Sequence, residues 1–257
     1  MKTCDRQLKP LLFLIGFFCL VSLPGISFAQ QPEQLLPVSQ SKELFNGKNL
    51  EGWLFFTKDD KTKVEDVWTV TDGVLKCKGK PAGYLQTKRW YKDYELEVQW
   101  RWPGEKGGNS GVLVHTSTPL VFFGWPKSME VQLQAASAGD FWVICKGVDV
   151  RVENEAARRP KPVAGNQHSH RRIKRLAGDF EKPIGQWNSM KIICDGDEIK
   201  VFINNQLAND GTTMTITEGA IALQSEGTAI EFKTVSIKPL AKNMKNDSQK
   251  DGSAKKN

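Results

Sequence analysis

Cysteine is scarce in this sequence, and its pattern argues against two classes of small exported protein. The 257 residues include five cysteines, of which Cys4 and Cys19 lie within the first 29 residues. The others, Cys77, Cys145 and Cys194, stand singly, without a CxxC pair or a histidine at zinc-ligand spacing. Three thiols allow at most one disulfide, so we expect neither a disulfide scaffold nor a zinc site. Buried thiols in strands are the simplest interpretation.

Other signatures are missing as well. The sequence contains no phosphate-binding glycine loop and no G-x-S-x-G nucleophile elbow, which argues against nucleotide hydrolysis and serine-based acyl transfer. No segment shows a convincing helical period either, so we expect a protein built almost entirely of strands.

The N-terminus has the features of an export signal. Three basic residues precede an apolar run over residues 11–23, and small residues occupy Ser27 and Ala29. We predict a signal peptide over residues 1–29, cleaved after Ala29, and hence an exported protein, secreted or periplasmic, without a stable membrane span. A retained membrane anchor is the alternative, although the run is short for a spanning helix. Cys19 lacks the preceding small residue of a lipoprotein signal.

The remainder divides into three parts. Residues 30–43 are predicted to be a leader, residues 44–240 a single domain, and residues 241–257 a polar, disordered tail rich in lysine. The net charge of +7 is concentrated in that tail and in one segment of the domain, which contains Arg158, Arg159, Lys161, Arg171, Arg172, Lys174 and Arg175. We predict no nucleic-acid partner, because aromatic residues do not alternate with these cations. A polyanionic surface and a simply solvated loop remain alternatives.

Strand patterns fill the domain. Residues 67–71 and 74–78 form a predicted hairpin with Asp72 and Gly73 at its turn, and residues 94–102 alternate between apolar and polar side chains. The apolar phase slips between Phe232 and Val235, which indicates a bulge. Many short strands with Gly, Asn and Asp turns favour a two-sheet antiparallel sandwich or jelly roll. The irregular stretch 153–183 is predicted to cross one face of it.

The segment SMEVQLQ has an unusual polar face. Its apolar residues alternate with Glu130, Gln132 and Gln134, an acid and two amides rather than the usual Lys and Thr. Carboxylate, amide and imidazole groups form directional hydrogen bonds with sugar hydroxyls, so a carbohydrate ligand or substrate is indicated. The candidates for such a site are Asn109, His115, Glu130, Gln132, Gln134, Gln224 and Glu226. Each of them alone is more typical of an ordinary sheet face or strand end.

Aromatic residues add to this hypothesis. Among eight tryptophans, Trp125 and Trp142 lie in segments marked by Gly and Pro beside the candidate strand, where a ring can stack on a sugar or pack under a loop. Trp68, Trp100, Trp102 and Trp187 are interpreted as core.

Several motifs together resemble a known family. LFNGKNLEGW, WTVTDGVLKCKG, YKDYELEVQWRW, GGNSGVLVH, MEVQL and GAIALQSEGTAIEFKTVSIKPL occur in order between Leu44 and Leu240. They resemble the domain long called DUF1080, now the 3-keto-disaccharide hydrolase domain. The resemblance implies a concanavalin A-like jelly roll of two antiparallel sheets, exported by polysaccharide-degrading bacteria. It also implies cleavage of glycosides oxidised at C3, with a divalent metal or hydrogen-bond donors stabilising an enolate.

The resemblance also assigns positions. The family's Asn-Ser-Gly falls on residues 109–111, its Glu-x-Gln on Glu130 and Gln132, and its Leu-Gln on residues 223–224. This chain departs from many relatives at His115, Ala135 and Glu226, where they have Arg, Asp and His. The departures indicate a sub-branch with altered substrate or mechanism.

Two hypotheses follow. In the first, the protein is a carbohydrate-active enzyme in which Glu130 is acid and base and His115 and Glu226 are its catalytic partners. The substrate is then held by the remaining polar candidates together with Trp125 and Trp142. In the second, it is a non-catalytic glycan-binding module of the same fold, because fold does not decide function. The enzyme hypothesis requires Glu130, His115 and Glu226 to face one concave pocket.

Overall fold

A computed structural model describes residues 38–161 and 171–240 of the chain. The predicted signal peptide, most of the leader and the tail lie outside the described residues. Helices among the described residues are two single turns, α1 (Val64–Val67) and α2 (Glu155–Arg158). Neither is long or apolar enough to span a bilayer. The strands are β1 (Lys42–Glu43), β2 (Trp53–Thr57), β3 (Trp68–Thr71), β4 (Val74–Cys77), β5 (Gly83–Thr87), β6 (Tyr94–Arg101), β7 (Gly111–Thr116), β8 (Ser128–Gln132), β9 (Phe141–Ile144), β10 (Arg172–Ile173), β11 (Asn188–Asp195), β12 (Glu198–Ile203), β13 (Gln206–Gly211), β14 (Ala220–Ser225) and β15 (Ile230–Pro239).

The strands form two antiparallel sheets. One sheet has eight strands in the order β13-β12-β11-β6-β15-β4-β3, with β1 paired to β15. The other has seven, in the order β10-β9-β8-β7-β14-β5-β2. Neighbours such as β14 and β7 are distant in sequence, so each sheet is assembled by long-range pairing. This is the predicted jelly-roll sandwich.

The core lies between the sheets and follows from alternation along each strand. In β6, Tyr94, Leu96, Val98 and Trp100 are fully buried, whereas the residues between them are half-buried. The apolar residues of SMEVQLQ, Met129, Val131 and Leu133, are likewise buried in this core. The polar side chains of β8 are therefore on the outer face of the seven-stranded sheet. Trp68, Trp100 and Trp102 are in the core as predicted.

The turn and the bulge predicted from the sequence are both present. Asp72 and Gly73 both have positive φ, 53° and 74°, as the predicted tight hairpin requires. The predicted bulge is present, because the β15–β6 register shifts between Phe232 and Thr234.

Two predictions about the fold were wrong. Trp187 is half-buried on the outer face of the eight-stranded sheet, where its ring contacts Arg101 at 4.5 Å rather than the core. The stretch 153–183 does not simply cross a face, because Arg172 and Ile173 extend the edge of the seven-stranded sheet. Residues 162–170 of that stretch are outside the described residues.

Candidate functional site

A carboxyl group and an amide converge on the outer face of the seven-stranded sheet. Glu130 in β8 and Gln224 in β14 lie on either side of β7, which places Gly111 between them. A Cβ atom at Gly111 would lie 2.5 Å from Gln224 Oε1 and 2.6 Å from Glu130 Oε1. The two side chains therefore occupy the space that a larger residue would fill. Glycine is needed at position 111 because it lets the two side chains approach closely, and not because the backbone angles there are unusual.

Both oxygens lack a partner. Glu130 Oε1 and Gln224 Oε1 are buried and have no hydrogen-bond donor within the described part of the chain. Asn109 Oδ1, at the adjoining end of the same face, is also buried and unpaired. Buried acceptors without donors are rare in folded proteins, because each forfeits its hydration. The two oxygens that meet at Gly111 are thus suited to a ligand that brings its own donors, such as hydroxyl groups, and Asn109 adds a third unpaired oxygen two residues before Gly111.

Burial raises the pKa of both carboxyl groups in this part of the face. Burial raises the pKa of Glu130 well above its usual 4.5, and the charge of Glu226 raises it further, whereas the Gln224 side chain lowers it in part. Burial also raises the pKa of Glu226, which is less deeply buried than Glu130. Two nearby carboxyl groups in unequal surroundings differ in their readiness to ionise, which is the arrangement that separates acid from base in enzymes.

Close packing fixes the position of Glu226. Asn109 makes backbone bridges to Glu226 and Gly227, and the Gly227 N–H donates to the Gly79 carbonyl at 2.6 Å. A Cβ atom at Gly79 would lie 2.3 Å from the Thr228 backbone, so the turn after β14 packs directly onto this glycine. The turn that carries Glu226 is consequently held from both sides.

The other predicted polar residues have more local roles. Gln132 is buried, and its Oε1 accepts the N–H groups of Leu133 and Gln134 at 2.8 and 2.7 Å. Its amide therefore caps the end of β8. Gln134 lies beyond the strand and is exposed. Asn109, Glu130, Gln224 and Glu226 are the predicted polar residues that the fold brings together.

The structure places His115 elsewhere. Strand alternation predicts its side chain on the same face as Leu113 and Glu130, but His115 has a φ of 53° and the β7–β14 register shifts beside it. The bulge turns the imidazole into the core, where it packs edge-on against Tyr94 of the other sheet with ring centroids 5.7 Å apart. Its Nδ1–H donates to the Ile216 carbonyl at 2.9 Å. The prediction that His115, Glu130 and Glu226 face one pocket is therefore wrong, and the enzyme hypothesis in the form that required all three fails. Glu130 and Glu226 alone remain as a carboxyl pair on the outer face, so any catalytic role has to rest on these two.

The two predicted tryptophans both lie on the outer face, and Trp142 is the one beside Glu130. Trp142 in β9 is directly cross-strand from Glu130 and is half-buried. Trp125 packs against Tyr84 with ring centroids 6.4 Å apart, and Tyr84 is directly cross-strand from Gln224. Sequence analysis missed Tyr84 as part of this face, because only the β5–β14 pairing brings it there.

The clustered arginines are used inside the domain. Arg158 is buried and donates to the Asn209 side chain and to the carbonyls of Lys174 and Glu153. Arg172 pairs with the buried Asp140 at 2.6 Å. Arg159 binds Asp149, Glu155 and the Val150 carbonyl. Arg175 donates to the carbonyls of Leu176, Gly178 and Ala136. Arg171 donates to the carbonyls of Val143 and Cys145. These contacts indicate that the arginines of the basic segment stabilise the fold of the domain.

Across residues 38–161 and 171–240, no three His, Cys, Asp or Glu side chains come together as a metal site. A shallow hollow of about 170 Å³ lies on the outer face of the eight-stranded sheet, beside Glu97, Lys191 and Phe202. Lys191 lies over the Phe202 ring at 4.8 Å and Glu97 pairs with Lys238, so its main charged groups already have partners.

The fold and the site together define the class: a concanavalin A-like jelly roll with buried carboxyl and amide groups on the outer face of one sheet. The chain belongs to the family of 3-keto-alpha-glucoside-1,2-lyase-like domains, whose sequence model matches residues 40–238. It is similar to a 3-keto-disaccharide hydrolase of Bacteroides thetaiotaomicron, with 35% identity over 77 residues, 27% of this chain and 25% of that protein. The match thus spans about a quarter of that relative's length.

Two solved structures show the same fold. A protein of Parabacteroides distasonis ATCC 8503, provisionally described as a glycosyl hydrolase, has a TM-score of 0.54 and 24% identity over 78% of this chain and 100% of its own. LamAcat from Zobellia galactanivorans has a TM-score of 0.51 and 13% identity over 79% of this chain and 97% of its own. At these identities the likeness concerns the fold alone.

Proposed function

We propose that this domain is an exported enzyme that cleaves glycosides oxidised to a ketone at C3 of the sugar. The observation that carries the proposal is the buried Glu130 carboxyl group, which has an unpaired oxygen and lies next to Gln224 and within electrostatic reach of Glu226. A buried acid beside a second carboxyl group is suited to proton transfer in the reaction. Family membership supports the choice of substrate.

The chemistry requires one base and one acid. A ketone at C3 acidifies the hydrogen on C2, and an ionised carboxylate removes it to give an enolate. The enolate then expels the glycosidic oxygen from C1, which forms the C1–C2 double bond and restores the ketone. The acid donates its proton to the leaving oxygen in the same step. Water adds next, with its hydroxyl at C1 and its hydrogen at C2. The net reaction is hydrolysis, and the proton count of the carboxyl pair is unchanged.

The structure suggests which carboxyl group has which role. Glu226 is less buried and ionises first, so we assign it the removal of the C2 hydrogen. Glu130 is held protonated by burial and by Glu226, so it donates to the leaving oxygen. The amide groups of Asn109 and Gln224 are the donors available to the ketone oxygen, where negative charge develops. Because the described residues offer no three-ligand cluster, this proposal includes no step at a metal.

A 3-keto-glucoside assay with matched variants tests the proposal. Wild type should release free sugar or glycal, and Glu130→Gln should lose at least ~100-fold in kcat while remaining folded. Glu198→Gln is the control, because Glu198 is exposed on β12 of the other sheet and should keep wild-type activity. An active Glu130→Gln variant would remove Glu130 from the mechanism.

The glycan-binding module remains the second candidate, favoured by the half-buried Trp125 and Trp142 beside the polar cluster. It predicts saturable binding of unoxidised glycans and no turnover of any 3-keto-glucoside by wild type. Calorimetry on the same substrates distinguishes the two functions. Export is tested separately: N-terminal sequencing of the protein from its native host should begin at Gln30.

A further inference from the structure

Polar and apolar groups meet around Glu130 on the outer face of the seven-stranded sheet. The polar groups are those of Asn109, Gln224 and Glu226, and Tyr84, directly cross-strand from Gln224, already belongs to the apolar groups. Leu113 lies directly cross-strand from Glu130, and Ala222 directly cross-strand from Leu113. These two begin an apolar cluster that is separate from the core between the sheets. A site designed only for sugar hydroxyls would not need such a surface beside its acid.

The apolar cluster continues into a loop. Its buried members are Tyr84, Leu113, Ile144 and Ala222, and Phe56, Phe122 and Trp125 pack against them. Phe122 and Trp125 belong to residues 117–127, which we call the aromatic loop. Phe122 and Trp125 exchange backbone hydrogen bonds at 3.1 and 2.9 Å, so the loop has a defined turn at its end.

The end of the aromatic loop is apolar and exposed. Phe123 is 68% exposed, Val121 46% and Leu120 39%. Phe123 and Leu120 both have positive φ, 52° and 56°, which is uncommon for bulky residues. Bulky residues held in this region of backbone space cluster at ligand sites. The apolar side chains are thus presented outward by backbone that the surrounding structure constrains.

Arg171 attaches the loop to the sheet. Its guanidinium group lies over the Phe122 ring at 4.5 Å and donates to the carbonyls of Val143 and Cys145, each at 3.1 Å. Those carbonyls belong to β9 and the residue after it, next to Trp142. The turn at the end of the aromatic loop is therefore anchored, through Phe122, to the strand that carries Trp142, and the exposed Phe123 is the next residue in that turn.

We infer that the leaving group of the substrate is aromatic or otherwise apolar and binds against the aromatic loop, while the oxidised sugar contacts the polar groups. This inference rests on the proposed function and adds the substrate class and orientation. An acid that protonates the leaving oxygen has to contact both halves of the substrate. Glu130 adjoins both kinds of surface, because its Oε1 meets Gln224 at Gly111 while Leu113 of the apolar cluster lies directly cross-strand from it.

Two substrates and two variants test the inference. Benzyl and methyl 3-keto-glucosides, each supplied as the α and the β anomer, release alcohols of similar acidity, so a difference in kcat/KM within one anomer reports contact with the leaving group rather than its chemistry. Wild type should prefer the benzyl compound by at least about tenfold. Phe123→Ala should lower that preference by about twofold to tenfold, the worth of one aromatic contact, and leave the methyl compound unaffected. Leu207→Ala, equally apolar and 39% exposed on β13, should change neither value.

The possible outcomes distinguish a failure of this inference from a failure of the proposed function. Equal kcat/KM for the two glycosides in wild type would overturn the apolar leaving group and leave the enzymatic function standing. A Phe123→Ala variant that lost the same factor on both substrates would also overturn it. Turnover of neither glycoside by wild type, in either anomer, would overturn the proposed function and this inference with it. Circular dichroism of each variant confirms that the fold is retained.

Discussion

The buried position of His115 allows a test of how one histidine in the core changes the free energy of unfolding of the domain as the pH falls. The imidazole is 1% exposed, and burial lowers its pKa from 6.5 to about 4, against smaller opposing effects of the Ile216 carbonyl and the charge of Asp93. The folded protein therefore holds the neutral ring, whereas the unfolded chain takes up a proton near pH 6.5. Stability from this residue is complete above that pH and is lost as the pH falls toward 4.

The size of the effect follows from the two pKa values. A group whose pKa is 6.5 unfolded and about 4 folded makes the protein less stable by about 2 kcal/mol at pH 5 than at pH 7. The buried carboxyl groups with raised pKa values, such as Glu130 and Glu181, act in the opposite direction. A difference between wild type and a variant without the imidazole is needed to isolate the contribution of His115.

The suitable variant is His115→Asn. Asparagine tolerates the positive φ of 53° and retains an N–H donor for the Ile216 carbonyl, but it does not titrate. Urea denaturation of both proteins at pH 5, 6 and 7 gives the free energies of unfolding. The other two of the three histidines are present in both proteins and cancel in the difference.

The expected result is a difference in unfolding free energy that moves by about 2 kcal/mol in favour of the variant from pH 7 to pH 5. Activity at pH 7 should stay within a few-fold of wild type, because the ring lies in the core and not beside Glu130. Parallel stability profiles would refute the pKa argument. A large loss of activity with unchanged stability would return His115 to the active site.

Two further predictions concern packing. Gly111→Ala should cost about 1–3 kcal/mol of stability by overpacking and reduce activity at least ~10-fold, since its Cβ would lie 2.5 Å from Gln224 Oε1. Gly104→Ala is the control for both assays, because a Cβ there meets nothing within 4 Å, and equal behaviour of the two variants would contradict the claim. Asp140→Ala should cost about 1–3 kcal/mol by chemical denaturation, because it leaves Arg172 and the Arg175 N–H without their shared acceptor. A loss below about 0.5 kcal/mol would show that this anchor contributes little.

Local sequence patterns determined most of the strands and turns. The two-residue period of β6 and β8 predicted which side chains are core and which are outward, and the Asp72–Gly73 turn was readable because few residues accept its backbone angles. The bulge in β15 was visible as a slip in the apolar phase. The polar faces of the predicted strands made Glu130 and Gln224 candidates, and the family motifs fell on the same positions. These features depend on residues close together in the chain.

The tertiary structure decided which of those residues meet. Glu130 and Gln224 are 94 positions apart and come together because β8 and β14 flank β7 with a glycine between them. The bulge beside Ala220 turned His115 inward, against the alternation that its own strand suggests. Strand order, register and bulges depend on pairing between distant segments, and a one-residue shift exchanges the faces of a sheet. Sequence alone therefore supplied the polar strand, and the assembled sheet decided its partners.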